Sequence, residues 1–414
     1  MELRQRRGEG SDENSTLLAE SSPSSTERES SVPERPTEQR TKSALTAEQT
    51  PLSSSSPAAT STDSSPAKCK KRANLRKAGY GLLCNAVAGI LILYVLIPIW
   101  FYSCPWLRQH VVFLSLISLP PFLNLSNPDS FGLYCPTNFY VESEPGLKLG
   151  TWYIPSTNVP CDRTAPLAFA GEDPVVLYLH GNAGTRGGTH RVGLYKLLTG
   201  KAKAHVVAVD YRGYGDSSRI KTPTVDGLVH DAMAVYRRIR ETVPNKRIIV
   251  WGHSLGTGVS TYLLANLTKI RDLPAGLVLE SPFDMLANAV KHNPMARLHR
   301  FMPFFEKVFV ESLNNHPETN FNSLEKSRLI SPRLPIVILE AKDDVVIPFE
   351  LAERLYRSFV DFRQGRPDEG RIDFVTFAKE YGYGHKYIYT HPGLAEKMRA
   401  FFDQATSSAA NLNS

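Results

Sequence analysis

Apolar and polar positions divide the chain into stretches of different character. Residues 1–72 are dominated by Ser, Thr, Pro, Glu and Arg, with runs such as Ser53 to Ser56, and hold almost no aromatic or branched apolar side chains. Such a segment buries too little to offset its ordering entropy, so a disordered tail is expected. Gly81 to Tyr102 is uncharged and apolar, with Tyr94, Trp100 and Tyr102 toward its far end. Roughly 20 such residues cross a hydrocarbon core of about 30 Å as a helix, and the aromatic residues suit an interface. One transmembrane helix is therefore predicted over 78–102. Val111 to Leu125 is also apolar, but it is too short to span and is broken by Pro120 and Pro121. Two readings stand for it within a membrane-proximal segment 103–137: an interfacial element on the bilayer surface, or a packed N-terminal arm.

Beyond residue 138 the pattern changes to short apolar runs alternating with helix-like stretches. Strands are predicted over Leu147–Ile154, Val175–Leu179, His205–Val209, Ile248–Trp251, Gly276–Leu279, Ile336–Leu339 and Ile372–Phe377. Runs apolar on both faces indicate the central strands of a mostly parallel sheet. Helices are predicted over Thr257–Asn266, Gly227–Glu241, Phe349–Phe359 and Pro392–Phe402, the last with its proline in the first turn. The alternation implies an α/β sheet with helices on both faces, over 138–405, followed by a short disordered end at 406–414. Residues 284–334 interrupt the alternation with Phe, Met and Leu at helical spacing among Lys, Arg and His. This excursion reads as a lid, with Phe304 and Phe305 offered to an acyl pocket, or as an amphipathic cover on the sheet.

The candidate chemistry sits where the run Arg247 to Trp251 breaks into Gly252-His253-Ser254-Leu255-Gly256 and then enters a helix. A strand, G-x-S-x-G and a helix make a nucleophile elbow, in which glycines permit a turn too tight for side chains. Ser254 is the expected nucleophile. A serine hydroxyl needs a base, and the base needs an acid to orient it. The acid should follow the strand at 336–339. Residues Glu340 to Pro348 resemble the H-G-x-x-D-x-x-V-P pattern of such hydrolases, which puts Asp344 on the acid and Asp343 second; Glu340 and Ala341 depart from the pattern. The base should follow the last strand, where His385 lies in a glycine-rich loop and His391 stands before Pro392. Two backbone donors are needed for the oxyanion. The amide of Leu255 is one; the other comes from His180-Gly181-Asn182-Ala183-Gly184, with Asn182 first and Ala183 next. Arg186, His190 and Arg191, just beyond, are candidates for an anionic headgroup, or else the arginines are surface residues at a helix start. The segment Asp210 to Ser217 reads as a structural turn.

Charge adds topology. The net charge is +7, and the densest basic cluster is Lys68, Lys70, Lys71, Arg72, Arg76 and Lys77, directly before the span. That placement favours a membrane over nucleic acid as partner, and it puts the N-terminus in the cytosol. The sequons at Asn124 and Asn266 then fall on the far side, while the one at Asn14 does not. Arg4 to Arg7 and Glu13 to Leu18 resemble short retrieval and sorting signals. There are five cysteines and no C-x-x-C pattern; no metal or cofactor is expected, and Cys135 and Cys161 are either bridged or free thiols.

The segments 177–188, 209–217, 251–259, 279–283 and 384–389 together resemble the membrane-anchored α/β-hydrolase-domain serine hydrolases known as lysophosphatidylserine lipases, which also act on monoacylglycerols. The resemblance covers roughly 75–405. It implies the α/β-hydrolase fold, acyl-ester hydrolysis in the lumen of the endoplasmic reticulum, and the roles of Ser254, Asp344 and His385 as nucleophile, acid and base. The alternatives are a thioesterase that removes palmitate from proteins and an inactive membrane-anchored scaffold.

Overall fold

The computed structural model describes residues 66–409, apart from 118–119, 165–166, 168 and 367–368. The expected disordered tail lies outside the described residues up to 65, as do its sorting signals, Asn14 and 410–414; its last residues, 66–72, are helical, a correction to the expected disorder. Contacts divide the chain into Met1–Cys69 and Lys70–Ser414, and the second unit holds everything discussed below.

Helix α1 (Pro66–Leu91), a π turn (Ile92–Leu96) and α2 (Ile97–Ser103) run on as one helix. Its stretch Asn74–Ser103 is long and apolar enough to cross a membrane, and almost none of it is buried against protein. The predicted span lies inside it. Cys104 is extended, and α3 (Pro105–Phe113) starts on the proline that follows, whose missing amide is no loss at a first turn. The chain beyond is a packed arm: Val112, Phe113 and Leu125 are buried, while Val111, Leu116, Ile117 and Phe122 keep an apolar outer face.

Eight strands form one sheet: β1 (Thr137–Glu144), β2 (Leu147–Ile154), β3 (Val175–Leu179), β4 (His205–Val209), β5 (Ile248–His253), β6 (Gly276–Glu280), β7 (Ile336–Ala341) and β8 (Ile372–Phe377). Their order is β1-β2-β4-β3-β5-β6-β7-β8. β2 is antiparallel to both its neighbours and the rest are parallel. Every residue of β3 to β7 is buried, as continuous Val, Ile and Leu runs require of strands covered on both faces. No apolar period marks β1 in the sequence, because half-exposed residues such as Tyr140 mask its apolar face.

Helices α4 (Thr189–Gly200), α5 (Val225–Arg240) and α6 (Leu255–Lys269) follow β3, β4 and β5. Between β6 and β7 comes the excursion. It consists of α7 (Leu286–His292), a 3-10 turn (Pro294–Leu298), a π turn (Glu306–Glu311), α8 (Ser312–Asn314) and α9 (Ser323–Ser327). Then follow α10 (Phe349–Arg363) and α11 (Leu394–Ser408). Two expectations are corrected here. Pro392 stands outside α11, because His391 Nδ1 accepts from the Gly393 amide and makes a turn there. The helix also runs past 406, since Phe401, Phe402 and Ala405 are buried.

Cys135 and Cys161 form a disulfide, with Cα atoms 5.5 Å apart, closing a loop of 26 residues that contains β1 and β2. Replacing both by serine is expected to destabilise the fold by about 3 kcal/mol, through the freed loop of the unfolded chain. A lowered thermal midpoint in detergent would read this; an unchanged midpoint would refute it.

Candidate active site

Ser254 has φ +52° and ψ −117°, a conformation that side chains rarely take. Its neighbours show why it is held. A Cβ on Gly256 would lie 1.9 Å from the Leu179 carbonyl oxygen of β3, and one on Gly252 2.4 Å from the Gly256 carbonyl oxygen. Only glycine lets the strand end, the helix start and the neighbouring strand approach this closely, so the turn stays tight. It leaves Ser254 8% exposed at the carboxyl end of the central strand.

Two loops from later strands reach it. The loop after β7 carries Asp344, whose Oδ1 accepts the amides of Val346 (2.8 Å) and Ile347 (2.9 Å). Its Oδ2 is 2.6 Å from His385 Nδ1. A carboxylate only accepts here, so Nδ1 carries the hydrogen and Nε2 is bare. Nε2 lies 2.9 Å from Ser254 Oγ, which therefore donates to it. Asp343 does not reach the imidazole; its Oδ2 accepts the Gly384 amide at 2.8 Å and holds the loop of His385. His391 packs against Phe377, Tyr381 and Tyr383 instead.

His253 occupies the variable position of G-x-S-x-G, which carries no sequence pattern. Its Nε2 donates to the His385 carbonyl at 2.9 Å, and its ring sits 5.0 Å from the His385 ring. Burial, with the neighbouring His385, pushes it well below the usual histidine range, so it is a neutral donor.

The Leu255 amide opens α6, with no earlier helical turn to receive it. In the other loop the Ala183 amide donates to Asn182 Oδ1 at 2.9 Å, which leaves the Asn182 amide as that loop's candidate donor. The Asn182 side chain donates to the Val112 carbonyl of the arm at 2.6 Å, and Gly184 donates to Ile117 at 2.9 Å.

Four sequence candidates are placed elsewhere. Arg186 is fully buried, bonds Asp210 and Asp216 at 2.6 Å each, and stacks on Trp152. Arg191 donates to the carbonyls of Thr185, Gly181 and Ala183 at 2.5, 3.0 and 2.9 Å. A loop of small residues turns its carbonyls inward, and the guanidinium fork satisfies them. Both arginines brace that loop and leave no free face for a headgroup. Phe305 is buried against Phe309, and Phe304 is exposed, so neither joins the Ser254 cluster. Asn124 and Asn266 are both exposed, the second on α6.

Beneath the site are two carboxyls that sequence pattern did not flag. Trp251 Nε1 donates to Glu280 Oε2 at 2.9 Å, and burial raises Glu280 to about 7. Glu340, where the pattern above has histidine, is fully buried with neither oxygen hydrogen-bonded. Burial and the charges of Asp344 and Glu280 push it well above the carboxylate range.

A family model described as the α/β hydrolase fold matches residues 174–369. The chain is 37% identical over 319 residues to the lysophosphatidylserine lipase ABHD12 of Danio rerio, covering 75% of this chain and 81% of the relative. It is 36% identical over 353 residues to the protein of the same name from Rattus norvegicus, covering 82% and 85%. A solved α/β hydrolase from Vibrio vulnificus has a TM-score of 0.52 at 16% identity, covering 74% of this chain and 94% of that one, and so shares the fold.

Two outcomes are expected. His253→Phe removes the donor to His385 and lowers kcat about tenfold with KM nearly unchanged, as for a contact that matters after binding; an equal change in KM alone would contradict this. Glu280 keeps its proton in the fold to about pH 7, while an ordinary glutamate releases it near 4.5. The unfolded chain then binds fewer protons in that window, so this part of the stability is complete below the lower value and lost as pH rises to the upper one. Glu280→Gln should flatten the fall of the thermal midpoint between those pH values, and an unaltered slope would count against the assignment.

Proposed function

The chain belongs to the ABHD12 family of α/β hydrolases, and from that premise we propose that it hydrolyses the acyl ester of lysophosphatidylserine and of monoacylglycerols, with Ser254 as nucleophile. The observation that carries this is the unbroken hydrogen-bonded chain from Ser254 through His385 to Asp344. His385 Nε2 takes the hydroxyl proton as Oγ attacks the ester carbonyl. Asp344 keeps the imidazole in the required tautomer and offsets the charge it gains. The amides of Leu255 and Asn182 hold the oxyanion. His385 returns the proton to the departing glycerol oxygen, which leaves the fatty acid on Ser254. Water, activated by the same imidazole, then releases it.

The disulfide supports a domain in an oxidising compartment, and the basic cluster before the span supports a cytosolic N-terminus. Together they favour a single-pass protein with the hydrolase on the far, oxidising side, and the family resemblance makes that side the lumen of the endoplasmic reticulum. The same location disfavours palmitoylated cytosolic proteins as substrates.

Ser254→Ala should abolish labelling by a fluorophosphonate, and Asp344→Asn should lower kcat by roughly 10⁴. The purified native chain should turn over lysophosphatidylserine and monoacylglycerol faster than a palmitoylated peptide. Labelling that survives the serine substitution would refute the nucleophile, and faster cleavage of the peptide would favour the thioesterase.

A further inference from the structure

The π turn in the candidate span leaves one backbone group without a partner from its own helix. The Ile97 amide donates to the Ile92 carbonyl, five residues back, rather than to Leu93. The next residue is Pro98, which has no amide. The Leu93 carbonyl thus loses both its fourth-residue and its fifth-residue donor. His299, in the excursion between β6 and β7, supplies the missing hydrogen: its Nε2 donates to the Leu93 oxygen at 2.9 Å. Around this bond the contact is aromatic. Tyr94 meets the rings of His299 and Phe301, and Phe101 meets Phe309.

Position along the helix gives this contact a depth. The apolar stretch ends at Ser103, and Leu93 lies ten residues before it, about 15 Å at the helical rise. Half of a hydrocarbon core is also about 15 Å. A protein segment touching the span from Phe101 down to Leu93 is therefore inside the leaflet that adjoins the catalytic domain. That segment exposes Leu298, Phe301 and Phe304 by 53%, 72% and 41%. It also exposes Arg297, Arg300, Glu306 and Lys307; Glu306 pairs with Lys291, Arg300 donates to the Lys291 carbonyl, and long charged side chains reach toward the headgroups. Water-facing Phe and Leu in a row would be a liability; acyl chains would cover them.

We propose that residues 294–309 form an intramembrane element, seated in the leaflet against the span, locked there by His299 and presenting Leu298, Phe301 and Phe304 to phospholipid acyl chains. In hydrocarbon no water can serve the Leu93 carbonyl, so span and element depend on one another. The excursion then does more than cover the sheet. It holds part of the hydrolase below the membrane surface, where a monoacyl lipid carries its chain. This last point rests on the proposed ester hydrolysis; the membrane contact does not.

The full chain in phosphatidylcholine nanodiscs, doped with a phosphatidylcholine bearing a diazirine on its acyl chain, tests it. After irradiation, peptides covering 82–100 and 297–305 should both carry lipid adducts, and the α10 peptide should carry none above background. Adducts confined to the span would overturn the proposal. The double variant Leu298→Asp, Phe301→Asp should lower turnover of a monoacyl lipid in vesicles about tenfold or more while changing that of a short water-soluble ester less than about twofold. Unchanged vesicle turnover, or equal loss on both esters, would overturn it too. A native chain inert toward both esters would sink the hydrolase reading, and the adduct map would still decide the membrane contact.

Discussion

The structure turns on one backbone conformation, the left-handed φ of Ser254. A strained residue persists only where its surroundings leave no alternative, and here the alternatives are closed by clearance. β5 lies between β3 and β6, so the turn after it is bounded by Leu179 on one side and Glu280 on the other. The Ser254 amide donates to the Glu280 carbonyl at 2.9 Å, which pins the residue to β6. Gly256 fits against Leu179 because it lacks a side chain. Any relaxation of the elbow would have to move two strands of a fully buried sheet, and a close-packed interior resists that.

The loop facing the elbow is built on a different principle. It has little apolar side-chain mass, so polar contacts fix its shape. Arg191 gathers three of its carbonyls, and Asp210 Oδ1 receives the Arg186 amide at 2.6 Å. Arg186 and Asp210 are fully buried, and Asp216 joins them from the surface. Such a cluster is weak evidence for stability, because desolvation cancels much of the attraction; its directional contacts fix a loop that packing could not. The arm after the span joins the same system through the Val112 and Ile117 carbonyls. The polypeptide that follows the candidate span is thus tied to the loop that faces the elbow.

Much of this was legible in the sequence, for identifiable reasons. The central strands are buried on both faces, so their apolar runs are unbroken. The elbow is legible because its glycines answer to sterics alone. Asp344 and His385 could be chosen by chain order, since each follows a parallel strand whose carboxyl end faces the same way. Arg186 and Arg191 were not legible. Residue type offers a headgroup cation or a surface arginine, and only the fold places Asp210, Asp216 and three inward carbonyls around them. Phe304 and Phe305 show the same gap: adjacent aromatic residues in a short irregular segment point to opposite environments, and no sequence period assigns them. His253 acts through His385, 132 residues on, which no local pattern encodes.

The carboxyls near His385 explain how one acid partners it while two others stay out. Asp344 accepts from two amides and an imidazole, so its oxygens are fully engaged. Glu340 has no donor, and Glu280 has only the Trp251 indole. Burial acts on all three, yet only the first is surrounded by hydrogen-bond donors aimed at it. Glu340, held well above the carboxylate range, is polar but uncharged, and Glu280 is so below about pH 7, so there they add little repulsion against Asp344 and do not compete for the imidazolium that forms as Ser254 attacks. The departure from the H-G-x-x-D-x-x-V-P pattern at Glu340 is therefore tolerable on one condition, that the side chain stays dry. The same closed packing that strains Ser254 supplies that dryness, so the elbow and the raised carboxyls beneath it share one physical cause.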